Sequence, residues 1–449
     1  MNSTPTADPG NLSRLVWSIA LPAMLTNMAT ALFGLADMWV IGRLGQASAQ
    51  GAVELGAKFM MALVVFNFLR TGTIALTAQA AGRGHKEEQA ASLTRSLAVA
   101  LVIGLALLAA RPWAIGWGLA ALEAQGEVAR HAADYVGIRY WAAPAWLASA
   151  VLTGWLIGQR HVRMVLAVEI MANVVHIGLD VLFVLGLGWG VSGVALATVS
   201  SEGLKLVLLV LAVRRVPASR LALESLRHAA TWERPALARL FAMNRDLFLR
   251  TVLLTGAIML FARAGAQQGP VVLAANGVLF QLFMLSTLLL DGFESSSQVL
   301  CGEARGANER ERFVQVVRVT LLWGLATGVA ISLIYATAGK PFAASFSTDP
   351  SVVWATGDYL WWVVLLPVLG VVSFVLDGVF VGAGWTRAML LTMALTMAIY
   401  CAMIFLPAVL ANDALWLAFS VFFVVRAAGQ LAVMPRLIRS SFSSSSRRP

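Results

Sequence analysis

The chain has 449 residues, of which 59% are hydrophobic and only 12% charged, and its mean hydropathy is +0.78. This balance excludes a soluble domain with a charged surface and makes the lipid bilayer the main solvent of the protein. The formal net charge of +10 does not point to nucleic acid, because the basic residues recur on alternate loops instead of forming a patch.

A helix needs about 20 apolar residues to cross roughly 30 Å of hydrocarbon. Apolar runs separated by polar punctuation predict twelve such helices at 14–42, 52–80, 92–119, 132–158, 162–187, 190–214, 244–265, 271–302, 313–338, 351–383, 386–410 and 414–438. The run from Leu15 to Ile41 is too long for a signal-peptide core and has no small-residue cleavage site close behind it, so it is expected to remain as the first helix. That helix carries Asp37 with Phe33, Thr30 and Thr26 behind it on one face, and Pro22 upstream as a candidate hinge. The second helix holds Arg70.

On the fifth helix Glu169, Asn173, His176 and Asp180 stand at i, i+4, i+7 and i+11, a single polar stripe at 3.6 residues per turn. Asp37 and Asp180 each lie about seven residues before the far end of their helices, so at ~1.5 Å per residue both sit at one depth. Two carboxylates sharing a buried site can hold and release a proton, and their oxygens could equally ligate Na⁺. The sixth helix adds Thr198, Ser201, Glu202 and Lys205, with Glu202 and Lys205 expected to pair at i, i+3. The piece from 215 to 243 reads as a cytoplasmic linker that interleaves apolar residues with arginines. In the second half, Thr287, Asp291, Glu294 and Gln298 form a stripe on the eighth helix and Asp377 lies in the tenth, with Arg70 and Arg263 as candidate counter-charges. These groups are expected to serve ion pairing more than coupling. The Ser-rich stretch 440–449 is expected to be a disordered tail.

The domains predicted are therefore an N-terminal six-helix bundle (1–214), the linker (215–243), a C-terminal six-helix bundle (244–439) and the tail. The halves share a pattern: Asp134-Tyr135 with Asp358-Tyr359, Gly154 with Gly378, Gly158 with Gly382 and Arg163 with Arg387 all recur at an offset of 224, and Pro144 with Pro367 at 223. An even number of helices per half makes the repeats parallel, related by a pseudo-two-fold along the membrane normal. Basic residues at Arg83, Arg160, Arg214, Arg305, Arg387 and Arg436 fall on the side of both termini, which places the termini in the cytoplasm.

Cys301 and Cys401 lack metal-ligand spacing, so neither a disulfide nor a zinc site is expected, and no metal or cofactor is assigned. No phosphate loop or nucleophile elbow occurs in a credible context, so the chain does not read as an enzyme and ATP would need another subunit. A membrane-embedded enzyme or receptor is the rival from another class, and the internal duplication argues against it.

Leu21-Pro22-Ala23 followed by Asp37-Met38-Trp39-Val40-Ile41-Gly42-Arg43-Leu44-Gly45, Phe68-Leu69-Arg70-x-Gly72-Thr73, Asn173 to Asp180 with Leu182-Phe183, Gly190 to Thr198, Ala274-Ala275-Asn276 and Asp291-Gly292-Phe293 together resemble the multidrug and toxic compound extrusion (MATE) family, in its DinF-like branch. The resemblance covers nearly the whole chain. It implies an all-α membrane protein of two bundles in the bacterial inner membrane, monomeric, exporting small organic and often cationic compounds against H⁺ or Na⁺ by alternating access. It implies a coupling site in the N-terminal bundle at Asp37, Asp180 and Thr198, with Asn173 kept. His176 departs from the family, which commonly has asparagine there; a histidine fits a proton relay and is a poorer Na⁺ ligand, which favours H⁺. Asp377 resembles a tenth-helix acid of other branches, but no matching seventh-helix acid occurs; Asn276 joins Asp291, Glu294 and Asp377 as a candidate polar site of the C-terminal bundle. A flippase for lipid-linked sugars would share the architecture but would need a strongly cationic cavity, for which Arg70 and Arg263 are few.

Overall fold

The computed structural model describes residues 9–122, 125–347, 349–405 and 412–442, and no strand occurs among them. Twelve helices among the described residues are long and apolar enough to cross a membrane. They are α1 (Gly10–Gly42), α2 (Ala47–Gly82), α3 (Lys86–Ala121), α4 (Gly126–Gly158), α5 (Val162–Gly186), α6 (Gly190–Arg214), α7 (Arg234–Ala266), α8 (Pro270–Gly306), α9 (Arg310–Ala344), α10 (Pro350–Ala383), α11 (Thr386–Phe405) and α12 (Asn412–Phe442).

Most helices run beyond the expected ends because hydropathy detects the lipid-buried part, whereas the backbone ladder continues into polar residues. The largest such difference is α7, which starts at Arg234 instead of 244. Glu233 is extended (φ −59°, ψ 139°), and Pro235 occupies the first turn, where its missing N–H has no ladder partner to lose. The expected linker is thereby shortened to short turns at Pro217–Leu221, Ala222–Ser225 and Ala229–Trp232. At the C-terminus, α12 includes Ser440 to Phe442, so the expected tail begins in helix, and its remainder lies outside the described residues. The expected end of the eleventh helix at 410 also lies outside them.

Contacts divide the chain into two compact units. One holds α1 up to Met24, Gly82–Gly84 and everything from Ala242 onward; the other holds Leu25–Ala81 and His85–Phe241. The division inside α1 falls two residues after Pro22. In the first unit Trp17 packs edge-on against Phe293 at 5.2 Å and Trp323 at 5.5 Å, which holds the start of α1 to α8 and α9. Its aromatic core gathers Phe261, Phe280, Phe283, Trp416, Phe419 and Phe423.

Within each unit separately, the same close approaches recur. In one, Gly154 on α4 meets the Arg70 carbonyl of α2, Gly158 meets that of Ile74, and Gly104 on α3 meets Pro144. In the other, Gly378 on α10 meets the Glu294 carbonyl of α8, Gly382 meets that of Gln298, and Gly328 on α9 meets Pro367. Every pair maps onto its counterpart by the offset of 223 or 224 that the sequence shows. A Cβ at any of these glycines would lie closer than 3.0 Å to the neighbouring helix. Small residues let membrane helices approach backbone to backbone, where packing supplies the association that lipid does not. Gly154→Ala and Gly378→Ala should therefore each lower stability by about 1–3 kcal/mol, read as a fall in the midpoint of thermal unfolding in detergent. Gly203→Ala, with nothing within 4 Å of its added methyl, should leave that midpoint unchanged or slightly raised.

Candidate functional site

The α5 stripe points inward as a unit. Glu169, Asn173, His176 and Asp180 are all buried, while Ile170, Met171, Val174 and Ile177 on the other face are 40–65% exposed. A soluble helix would show the opposite arrangement; here the lipid takes the apolar face. Directly after Asp180 the helix widens into a π turn, Val181–Gly186.

α1 brings Asp37 against this stripe. Asp37 Oδ1 lies 2.8 Å from His176 Nε2, and Asp180 Oδ2 lies 3.1 Å from the same nitrogen. The three side chains offer ligand atoms all within 4.8 Å of one another, and all three residues are buried. Asp180 is fully buried, and its Oδ1 has no hydrogen-bond partner beside the contact that His176 Nε2 makes with Oδ2. Phe33 lies against the imidazole with ring centroids 4.4 Å apart. The other ring nitrogen, Nδ1, is 3.2 Å from Ser201 Oγ on α6, and that hydroxyl also lies 2.9 Å from the Thr198 carbonyl.

α4 supplies two groups that periodicity on the first and fifth helices does not reveal. The Tyr135 hydroxyl donates to Asp37 Oδ2 at 3.4 Å and accepts from Arg139 Nη1 at 2.6 Å. The Tyr135 ring fits because α2 has Gly56 where it passes. Tyr135 and Arg139 stand at i, i+4, so the signal was present in the sequence as a polar pair within an apolar run. Two turns below His176, Glu169 accepts from Thr30 Oγ1 at 3.0 Å and pairs with Lys205 at 2.9 Å.

Several expectations are corrected. Lys205 makes its close ion pair across to Glu169 on α5, while Glu202, the expected i, i+3 partner, acts on it through its charge. The Thr198 hydroxyl bonds back to the Val194 carbonyl of its own helix, and Ser201, one turn on, is the α6 hydroxyl that meets His176. Asn173 donates to the Glu169 carbonyl at 2.9 Å and makes no hydrogen bond to either aspartate. The cysteine count carried the expectation of no metal site, and it does not speak to the Asp37, His176 and Asp180 donor set, whose His-x-x-x-Asp spacing on one helix face is legible in the sequence.

In the other unit Asp377 is held by Arg250 of α7, by Arg426 of α12, and by Gln430, whose Nε2 donates to Oδ1 at 2.7 Å. Its counter-charges are thus Arg250 and Arg426, whereas Arg263 is exposed. Where a seventh-helix acid was sought, α7 contributes an arginine. Glu294 and Asp291 lie within electrostatic reach of Arg250. Asn276 belongs to a different network, exchanging hydrogen bonds with Asn412 at 2.7 and 2.9 Å and accepting from Trp416 at 2.9 Å.

The MatE family model matches residues 22–182 and again 248–406, once in each half. The chain is 34% identical to DNA damage-inducible protein F of Escherichia coli over 94% of its own length and 92% of that protein's. It is 24% identical to a probable multidrug resistance protein, NorM, of Thermotoga maritima, over 78% of this chain and 76% of that one. Its fold matches a MOP superfamily transporter from Pyrococcus furiosus with a TM-score of 0.87 at 19% identity, covering 99% of this chain and 100% of the other. With the family model matched over both halves and the E. coli relative aligned nearly end to end, the chain belongs to the MatE family of membrane transporters.

Proposed function

We propose that this transporter is a secondary active exporter of small organic, often cationic, compounds across the bacterial cytoplasmic membrane, and that it exchanges them for H⁺ at Asp37, His176 and Asp180. The observation that carries this reading is the position of one imidazole nitrogen between two buried carboxylates, 2.8 and 3.1 Å away. With both aspartates ionised, His176 neutral and Arg139 charged, the cluster has one negative charge in excess, which one monovalent cation neutralises. A proton suits the donor set better than Na⁺, a hard cation that favours oxygen ligands over the imidazole nitrogen at its centre.

The hydrogen bonds of Ser201 supply a mechanism. Its hydroxyl has one hydrogen and two acceptors in reach. In the unloaded state it donates to Nδ1, and Nε2–H donates to Asp37. When a further proton arrives, Nδ1 becomes a donor to Ser201 Oγ, the hydroxyl turns to the Thr198 carbonyl, and the Asp37–His176 contact keeps its proton. The loaded cluster is neutral, and its neutrality removes the electrostatic hold on a cationic substrate. Pro22, two residues before α1 passes between units, is the position where α1 can bend as Asp37 changes charge.

Relatives named as multidrug resistance and multidrug export proteins support the substrate class. A flippase for lipid-linked pyrophosphates would need free interior arginines, and Arg250 and Arg426 are both engaged by Asp377. The test is efflux of an organic cation from proteoliposomes under an imposed pH gradient or an imposed Na⁺ gradient, one at a time. Efflux driven by the pH gradient alone is expected; efflux driven only by Na⁺ would reverse the assignment of the ion.

A further inference from the structure

The donor set at Asp37, His176 and Asp180 contains more coordinating power than a proton requires. We propose that it also binds one first-row divalent transition-metal ion of the Zn²⁺ and Co²⁺ class, and that the bound metal displaces the coupling cation. Binding stands on the geometry alone; the displacement rests on the coupling reading above.

One imidazole nitrogen and two carboxylate oxygens make an N₁O₂ set with no sulfur, a composition that suits Zn²⁺, Co²⁺ or Ni²⁺ and disfavours Cu⁺. Three protein ligands leave the fourth position of a tetrahedral ion to water. The ligand atoms of such an ion stand roughly 3.3 Å apart when its bonds are about 2.0–2.1 Å. The spacings of 2.8 and 3.1 Å about His176 Nε2 would widen slightly to admit it, and all three ligand atoms already lie within 4.8 Å of one another. A second, independent observation points the same way. Asp180 is fully buried, its Oδ1 has no hydrogen-bond partner and its Oδ2 has the 3.1 Å contact with His176 Nε2, so a cation held among the three side chains would complete a buried carboxylate. The surroundings also orient the ligands as outer-shell groups do in metal sites: Ser201 holds Nδ1 at 3.2 Å, Phe33 backs the ring, and the Tyr135 hydroxyl reaches the second oxygen of Asp37 at 3.4 Å. Because the metal takes Nε2 of a neutral imidazole and both ionised carboxylates, the ring proton must sit on Nδ1, where Ser201 Oγ can accept it, and any further proton is expelled, so metal and coupling proton exclude each other.

The test uses the full, tag-free chain purified in a zwitterionic detergent without chelators. Titration with Co²⁺ alone should give visible ligand-field bands of a four-coordinate ion that saturate at one per chain, vanish on adding Zn²⁺ and persist in excess Mg²⁺ or Ca²⁺. His176→Asn should lose at least ten-fold in Co²⁺ affinity while eluting as the parent does; Asp180→Asn, tested beside it, should show the same loss should the first variant aggregate. Absence of saturable bands in the parent, or bands unchanged in both variants because His85, His131, His161 or His228 carries them, would overturn the site. In proteoliposomes, Zn²⁺ at saturating concentration should slow pH-driven efflux at least ten-fold. Undiminished efflux with the metal bound would overturn the displacement and leave the binding standing, whereas Asp37→Asn liposomes that still export would overturn the coupling reading and leave the metal site untouched.

Discussion

Asp37→Asn should fold, insert and elute as the parent does, and yet show gradient-driven efflux no faster than protein-free liposomes. Asparagine keeps the shape of the carboxylate, with an oxygen to accept from His176 Nε2 and an amide group that donates to the Tyr135 hydroxyl oxygen, so the packing around it is preserved. It also brings the cluster to the charge of its proton-loaded state, since Asp180 and Arg139 then balance. The variant is thus held in one of the two electrostatic states between which a cycle must alternate. Stability should move by no more than ~1 kcal/mol, because no buried charge loses its only partner. Efflux at the parental rate in a monodisperse preparation would sink the assignment. A parental elution profile and a parental midpoint of thermal unfolding separate this outcome from misfolding.

The second large effect is structural. Asp377→Ala removes the common acceptor of Arg250 and Arg426 and leaves two buried guanidinium groups side by side in the first unit. Breaking a buried ion pair from one side costs about 3–5 kcal/mol, enough to reduce most of the protein to aggregate in size-exclusion chromatography. The triple variant Asp377→Leu, Arg250→Met, Arg426→Met should recover a monodisperse peak, since replacing all members by apolar groups of similar volume is near neutral. A single Asp377→Ala variant as heat-stable as the parent would refute this account. If the recovered triple variant also exports, the Asp377 cluster is a fastening and not a second coupling centre.

These two sites differ in how far the sequence discloses them. The α5 stripe was legible residue by residue, because helical periodicity fixes which side chains share a face, and an ionisable stripe cannot face lipid. Depth then paired Asp37 with Asp180 correctly, since position along a membrane helix converts directly to height. What periodicity does not give is which face of one helix meets which face of another. Glu202 and Lys205 satisfied the local spacing, yet Lys205 found Glu169 on a different helix. Tyr135 was noticed only as half of a repeated Asp-Tyr pair, and its role beside Asp37 depends on the space left by Gly56 two helices earlier in the chain. Arg426 and Gln430 also stand at i, i+4 on α12 and converge on Asp377, but no single-helix argument selects Asp377 from the neighbouring acids as their partner. Arg250 falls inside the expected seventh helix, but no pattern within that helix ties it to an acid on the tenth.

The repeated glycine approaches carry a consequence for how the two halves could come to differ. Gly154 and Gly378 seat against the backbone oxygens of Arg70 and Glu294, residues of opposite charge at equivalent places. A contact made through a carbonyl is blind to the side chain that the same residue bears. After the gene segment was doubled, the interlocking of helices could stay fixed while the adjoining side chains drifted, even through a reversal of sign, with no penalty in packing. One copy was thereby free to gather Asp37 and Asp180 around His176 while the other paired its acid with arginines, and the shared scaffold recorded neither choice.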